Sequence, residues 1–272
     1  MLTQRMAKEV FLAAADVDAA TNRKNAAESM ALFKKSLAGL RNGDDSMKLP
    51  PGHFGKINAR LDHLSNNFKT LEGLVDKTTR GDKLSKEELT SVRDQVDSLV
   101  EQEETIMTIL SGSAGAALTK SGSKVATDAN LAIDVAGRQR MFSQKMAKDC
   151  ALVHLKIDTD RHRSELKKTS SLFDKVEQGL RKGDKDIGIK GTSEADIVSQ
   201  LDVVDGLWKG YGEVVRKHAD SKVDMTKQEL EIVAKLNLPL LTEANKTVEI
   251  LQKSVSGEKS ASASPPVAAA KK

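Results

Sequence analysis

Shifted by 140 residues, the chain overlays on itself. Met1, Gln4, Met6, Ala7 and Lys8 meet Met141, Gln144, Met146, Ala147 and Lys148. Farther on, LFKKSLAGLRNGD (Leu32 to Asp44) meets LFDKVEQGLRKGD (Leu172 to Asp184). Over the first 44 positions about 16 are identical without a gap. The register holds at Leu61 and Asp62 against Leu201 and Asp202, where Phe68 meets Trp208 and Leu71 meets Tyr211. It then slips by one, so that Ile109 and Leu110 meet Ile250 and Leu251. A period this long exceeds that of a stacked solenoid, so each copy is expected to be a domain.

Inside each copy the apolar spacing is helical. In copy two, Phe142, Met146, Cys150, Val153 and Ile157 form one stripe of a first helix. A second helix carries Leu166, Leu172, Phe173, Val176 and Leu180, and Gly183 suits the left-handed position after it. A polar loop is expected to Thr192, with Ser193 capping a third helix that faces inward through Ile197, Leu201, Val204, Trp208, Tyr211 and Val215. A fourth helix starts at Thr226 and carries Pro239 in its interior, where a kink is expected. Copy one repeats the plan, but its first break, DVDAAT, is weak enough for helices one and two to run on as a rod. Four amphipathic helices with short links make an antiparallel bundle. The expected architecture is therefore all-α, two tandem antiparallel four-helix bundles. The first spans residues 1–111, a Gly/Ser-rich connector 112–124, the second bundle 125–255 and a low-complexity, disordered tail 256–272.

Composition narrows the function. A net charge of +4, with basic and acidic residues interleaved, gives no electrostatic footprint for nucleic acid. No apolar run reaches the ~18 residues of a membrane span. The lone cysteine, Cys150, falls on an apolar stripe and reads as a small buried hydrophobe. His53, His63, His154, His162 and His218 show no metal-ligand spacing and read as surface or semi-buried structural groups. No catalytic set, cofactor motif or metal motif is present, so an enzyme is not expected.

The segment AGRQRMFSQKMAK (Ala136 to Lys148) carries the remaining chemistry. Arg140 and Gln144 stand one turn apart on a shared helical face, away from Arg138, Phe142 and Lys145. Gly137 leaves room beside Arg140 for a close approach. A guanidinium matches a small planar oxyanion, because it offers paired N–H donors. Arg140 in a bundle seam needs an anion or a carboxylate. At the surface it needs only an acidic neighbour.

That segment, continued as DCALV, resembles the signature of the PilJ-type sensor domain, a family akin to NarX-like nitrate/nitrite sensor modules. The same domain forms the N-terminal part of type IV pilus methyl-accepting chemotaxis transducers. Phe142 and Lys145 depart from the family pattern, which has leucine and arginine there. LWKGY (Leu207 to Tyr211) and LNLPLLTEANKTVEIL (Leu236 to Leu251) are similar to the family as well, and copy one keeps MLTQRMAK. The resemblance implies a four-helix sensor bundle, usually periplasmic and membrane-anchored. It also implies that first helices of two bundles face each other and that the arginine before the methionine, Arg140 before Met141, holds nitrate or nitrite. The expected ligand residues are thus Arg140, Gln144, Gly137 and Met141, and the expected partners are that small anion and a homodimer mate or partner bundle met through the first helices. In copy one the methionine of the motif is Met1, so either the first helix is truncated or only copy two binds. Two functions stay open: a non-enzymatic oxyanion-binding sensor module, and a helical interaction or structural module that has lost ligand binding and output.

Overall fold

A computed structural model describes residues 1–47, 57–119 and 124–256. Eight helices run α1 (Leu2–Ala14), α2 (Ala19–Asn42), α3 (Asn58–Arg80), α4 (Lys86–Thr119), α5 (Lys124–His154), α6 (Thr159–Lys182), α7 (Ala195–Asp220) and α8 (Lys227–Ser256). A 3₁₀ turn follows α2 at Asp45–Met47. Helices α1–α4 pack into one antiparallel bundle and α5–α8 into the next, and the first helices of the two, α1 and α5, pack against each other. Among the described residues, no helix is long and apolar enough to cross a membrane.

The stripes read from the sequence form the cores. Phe142, Met146, Cys150, Val153 and Ile157 are buried on α5, and Leu201, Val204, Trp208, Tyr211 and Val215 on α7. Leu172 is the exception: it is 48 % exposed, as is its counterpart Leu32 at 44 %, while the following phenylalanine of each pair turns inward. Adjacent residues on a helix lie about 100° apart, so only one of the two can face the core.

The first two helices of copy one do not run on as a rod. Asp16 and Asp18 take left-handed conformations (φ 55° and 40°), as do their counterparts Lys156 and Asp158 (φ 56° and 44°). Each chain reversal is closed by backbone bonds, Val17 N–H to Leu12 C=O at 2.9 Å and Ile157 N–H to Leu152 C=O at 3.0 Å. Aspartate tolerates this conformation better than most residues. Both fourth helices start with a reciprocal capping pair, Ser85 with Glu88 and Thr226 with Glu229. Ser193 does not cap α7: the helix starts one residue later, with Glu194 at the cap and no side-chain bond.

Within the described residues, parts of the connector and of the polar loop of copy two carry regular structure. The Gly/Ser-rich connector is helical as far as Thr119, and α5 resumes at Lys124. Ala114, Ala116, Ala117 and Leu118, strong helix formers, offset the glycines there. The polar loop of copy two holds a two-stranded antiparallel ribbon, β1 (Gly183–Asp184) with β2 (Ile189–Lys190). It lies across the end of α6, where Ile189 is buried and a β-carbon on Gly179 would come within 2.9 Å of its Cδ1. The tail from residue 257 onward and His53 lie outside the described residues. Pro239 lies inside α8, which continues on both sides of it.

Candidate functional site

The motif helices bury charge where they meet. On α1, Lys8 and Glu9 are buried; on α5, Lys148 and Asp149 are buried at the same repeat positions. Each acid is held by its own helix one turn back, Glu9 by Arg5 (2.9 Å) and Asp149 by Lys145 (2.9 Å). Each takes a further bond from the second helix of its copy. Ser29 Oγ donates to Glu9 at 2.7 Å, and His162 Nδ1 donates to Asp149 at 2.9 Å.

The two lysines cross to the other bundle. Lys8 Nζ donates to Asn237 Oδ1 on α8 at 3.1 Å. Lys148 Nζ lies 3.5 Å from Asp97 on α4 and 3.5 Å from Asp149. Asp97 also receives Arg161. Farther along, each fourth helix reaches the corner of the other copy: Arg93 to Asp158 at 3.3 Å and Lys227 to Asp16 at 2.9 Å. The exchange has a near-two-fold pattern. The match is offset by one residue, because the capping pairs align Asn237 with Val96 rather than with Asp97.

Burial and charge act against one another here. Burial pushes the Lys8 ammonium down to about 8, and Glu9 offsets only part of that. Burial would raise the Asp149 carboxyl, but the Lys148 charge, the His162 hydrogen bond and Lys145 outweigh it and hold the group well below the usual carboxylate range. Burial pushes the Cys150 thiol far up, which leaves it unreactive.

The expected ligand residues sit beside this network. Arg140 is half-buried, and its guanidinium turns to α8, where Nη1 donates to Asn245 Oδ1 at 3.1 Å. Its Nε folds back to the Gly137 carbonyl at 3.3 Å. A β-carbon on Gly137 would come within 3.2 Å of the Arg140 Nη2, so the glycine makes room for Arg140 itself rather than for another helix. Gln144 is fully buried; its amide donates to Asn237 Oδ1 at 3.0 Å, and its own Oε1 has no partner. The corresponding Gln4 Oε1 is also buried without a partner. Met141 packs on the core edge. Arg140 and Gln144 thus both address α8, at Asn245 and Asn237, two turns apart. Arg138 pairs with Asp134 on the solvent side, and Lys145 reaches Glu165 on α6.

Sequence reasoning singled out neither asparagine, and it did not place Lys8, Lys148 or the two acids inside. It also read His162 and His218 as surface or semi-buried, whereas both are fully buried. Their Nδ1 atoms face Asp149 and the Val223 carbonyl. Among the described residues, no group of three or more His, Cys, Asp or Glu side chains could hold a metal ion.

Two duplicated four-helix bundles, joined along first helices that carry the same buried Gln-x-Met-Ala-Lys pattern, define the class as a tandem all-α repeat. The chain belongs to the PilJ family, described as the N-terminal region of type IV pili methyl-accepting chemotaxis transducers; the family profile matches residues 1–94 and 123–235. Those two segments fall on the two copies. Comparison with curated proteins and with solved structures gives no match.

Proposed function

We propose that the chain is a non-enzymatic sensor module that binds a small oxyanion, nitrate or nitrite, at Arg140. One observation carries this reading. The Arg140 guanidinium is half-buried and touches only neutral acceptors, Gly137 C=O and Asn245 Oδ1, with no carboxylate within 4 Å among the described residues. Burial alone lowers its pKa, and a guanidinium at that depth stays charged. A planar anion would supply the missing countercharge through paired N–H bonds. The pairing of first helices that the resemblance implies between protomers is, in this reading, made inside one chain, by α1 against α5.

A second reading is favoured by the same side chain. Arg140 already has two acceptors in hand, which suits an interaction or structural module that no longer needs an anion. Calorimetric titration of nitrate and nitrite into the wild-type chain and Arg140→Ala separates the two. Saturable heat that Arg140→Ala abolishes supports the sensor reading. No heat above buffer for either anion sinks it and leaves the interaction module.

A further inference from the structure

Copy one has a groove of about 310 Å³ between α2 and α3. Its floor is apolar, made by Leu37, Ala38 and Phe68, and its rim carries Lys34, Arg41 and Lys69 against one carboxylate, Glu72. The volume falls at the lower end of small-molecule sites.

Copy two shows what fits there. At the repeat position of Phe68 stands Trp208, buried and stacked on Phe173 with ring centroids 4.2 Å apart. At the position of Lys34 stands Asp174, and the indole N–H donates to it at 2.6 Å. The Arg216 guanidinium covers the ring at 5.1 Å. Gly212, in place of Glu72, makes this possible, since a β-carbon there would come within 2.9 Å of both Trp208 and Arg216. A planar ring, a carboxylate and a cation thus fill the place in copy two. In copy one Phe68 meets Phe33 at 4.5 Å, as Trp208 meets Phe173, but it lacks the indole's second ring and N–H, and among the described residues has no cation over its face. The acid of copy two is replaced by lysine.

We propose that this groove of copy one binds a small aromatic carboxylate, whose ring packs on Leu37, Ala38 and the edge of the buried Phe68 and whose acid meets the cationic rim. Among the described residues, Lys69 has only the neutral Asn66 Oδ1 as a partner, at 3.1 Å. Lys34 is paired with Glu72 and Arg41 with Asp62. Both pairs are solvent-exposed, and such pairs exchange partners at little cost. The ligand would restore to copy one the ring and the carboxylate that copy two supplies from its own sequence. The site is separate from Arg140 and does not rest on the oxyanion reading.

The test is a titration of benzoate and of indole-3-acetate into the full ¹⁵N-labelled chain, followed by amide shifts, with acetate as the ring-less control. Ligands of this size are expected to bind with Kd on the order of millimolar. Shifts should centre on α2 and α3 around Ala38 and Phe68. Lys69→Glu, a surface change, should weaken binding about tenfold. Phe68→Trp, which copies the residue of the other bundle, should abolish it. Absence of saturable shifts in the wild-type chain overturns the proposal, as does acetate binding as tightly as benzoate. Unchanged affinity in Lys69→Glu overturns it even if Phe68→Trp fails to fold.

Discussion

Lys8 of the first bundle donates to Asn237 of the second at 3.1 Å, and Gln144 donates to the same oxygen at 3.0 Å. A lysine from one copy and a glutamine from the other therefore share a single acceptor, almost wholly out of water. A cation placed there without a direct carboxylate bond carries a desolvation cost, because Glu9 lies 3.8 Å away and is already engaged by Arg5 and Ser29.

Stability should therefore rise in mild base. Lys8 loses its proton near pH 8 in the fold and near 10.5 in the unfolded chain. Between those values the unfolded state binds a proton that the native state lacks, so stability climbs with pH across that window, by roughly 3 kcal/mol at most. Lys8→Met keeps the volume, removes the charge and should flatten that climb while stabilising the chain at pH 7. Urea unfolding at pH 7 and pH 10 for both proteins checks it. Equal slopes for wild type and variant would sink the assignment.

Asp149 works in the other direction. Its carboxyl is ionised well below its normal pKa, so it contributes stability above pH ~4 that is lost as pH falls below that value. Asp149→Asn leaves the buried Lys148 with Asp97 alone and removes a partner from Lys145 and His162. It should cost about 3–5 kcal/mol. A loss under 1 kcal/mol in chemical denaturation would show that the network does not hold the fold.

Two glycines of α7 should respond oppositely to alanine. A β-carbon on Gly212 meets Trp208 and Arg216 at 2.9 Å, while one on Gly206 meets nothing within 4 Å. Gly212→Ala should destabilise by about 1–3 kcal/mol and shift the fluorescence of the single tryptophan. Gly206→Ala should be neutral or stabilise by about 0.5–1 kcal/mol, as a glycine replaced inside a helix does. Matching melting temperatures for the two variants would contradict the packing described around Trp208.

Cys150 should be silent in the native protein. It has no exposed surface, and burial together with the Asp149 charge raises its thiol far above neutrality. Ellman's reagent should report no free thiol in buffer and one per chain in denaturant. Prompt labelling of the folded chain would refute its burial.

The helices and their inner faces could be read from the sequence because apolar spacing is a local property. Trp208, Tyr211 and Val215 are buried where the 3.6-residue period puts them. Lys8 and Lys148 were not legible as interior residues, because each meets a side chain of the other bundle, Asn237 or Asp97, far away in the sequence. Asn237 and Asn245 were missed for a related reason. An asparagine on a long helix looks like any solvated amide until the helix opposite presents Gln144 and Arg140 to it. The corner between α1 and α2 could be read only as a weak break, because two aspartates at positive φ leave no glycine or proline in the sequence to mark the turn.

Joining two bundles in one chain changes how they can vary. In a pair of identical subunits every substitution at the shared face appears twice, and both appearances must be tolerated at once. Here Lys148 faces a carboxylate while Lys8 faces an amide, and Trp208 bonded to Asp174 stands in one half where Phe68 stands in the other. Each half can drift alone, so one can keep the scaffold standing while its twin takes up a different task.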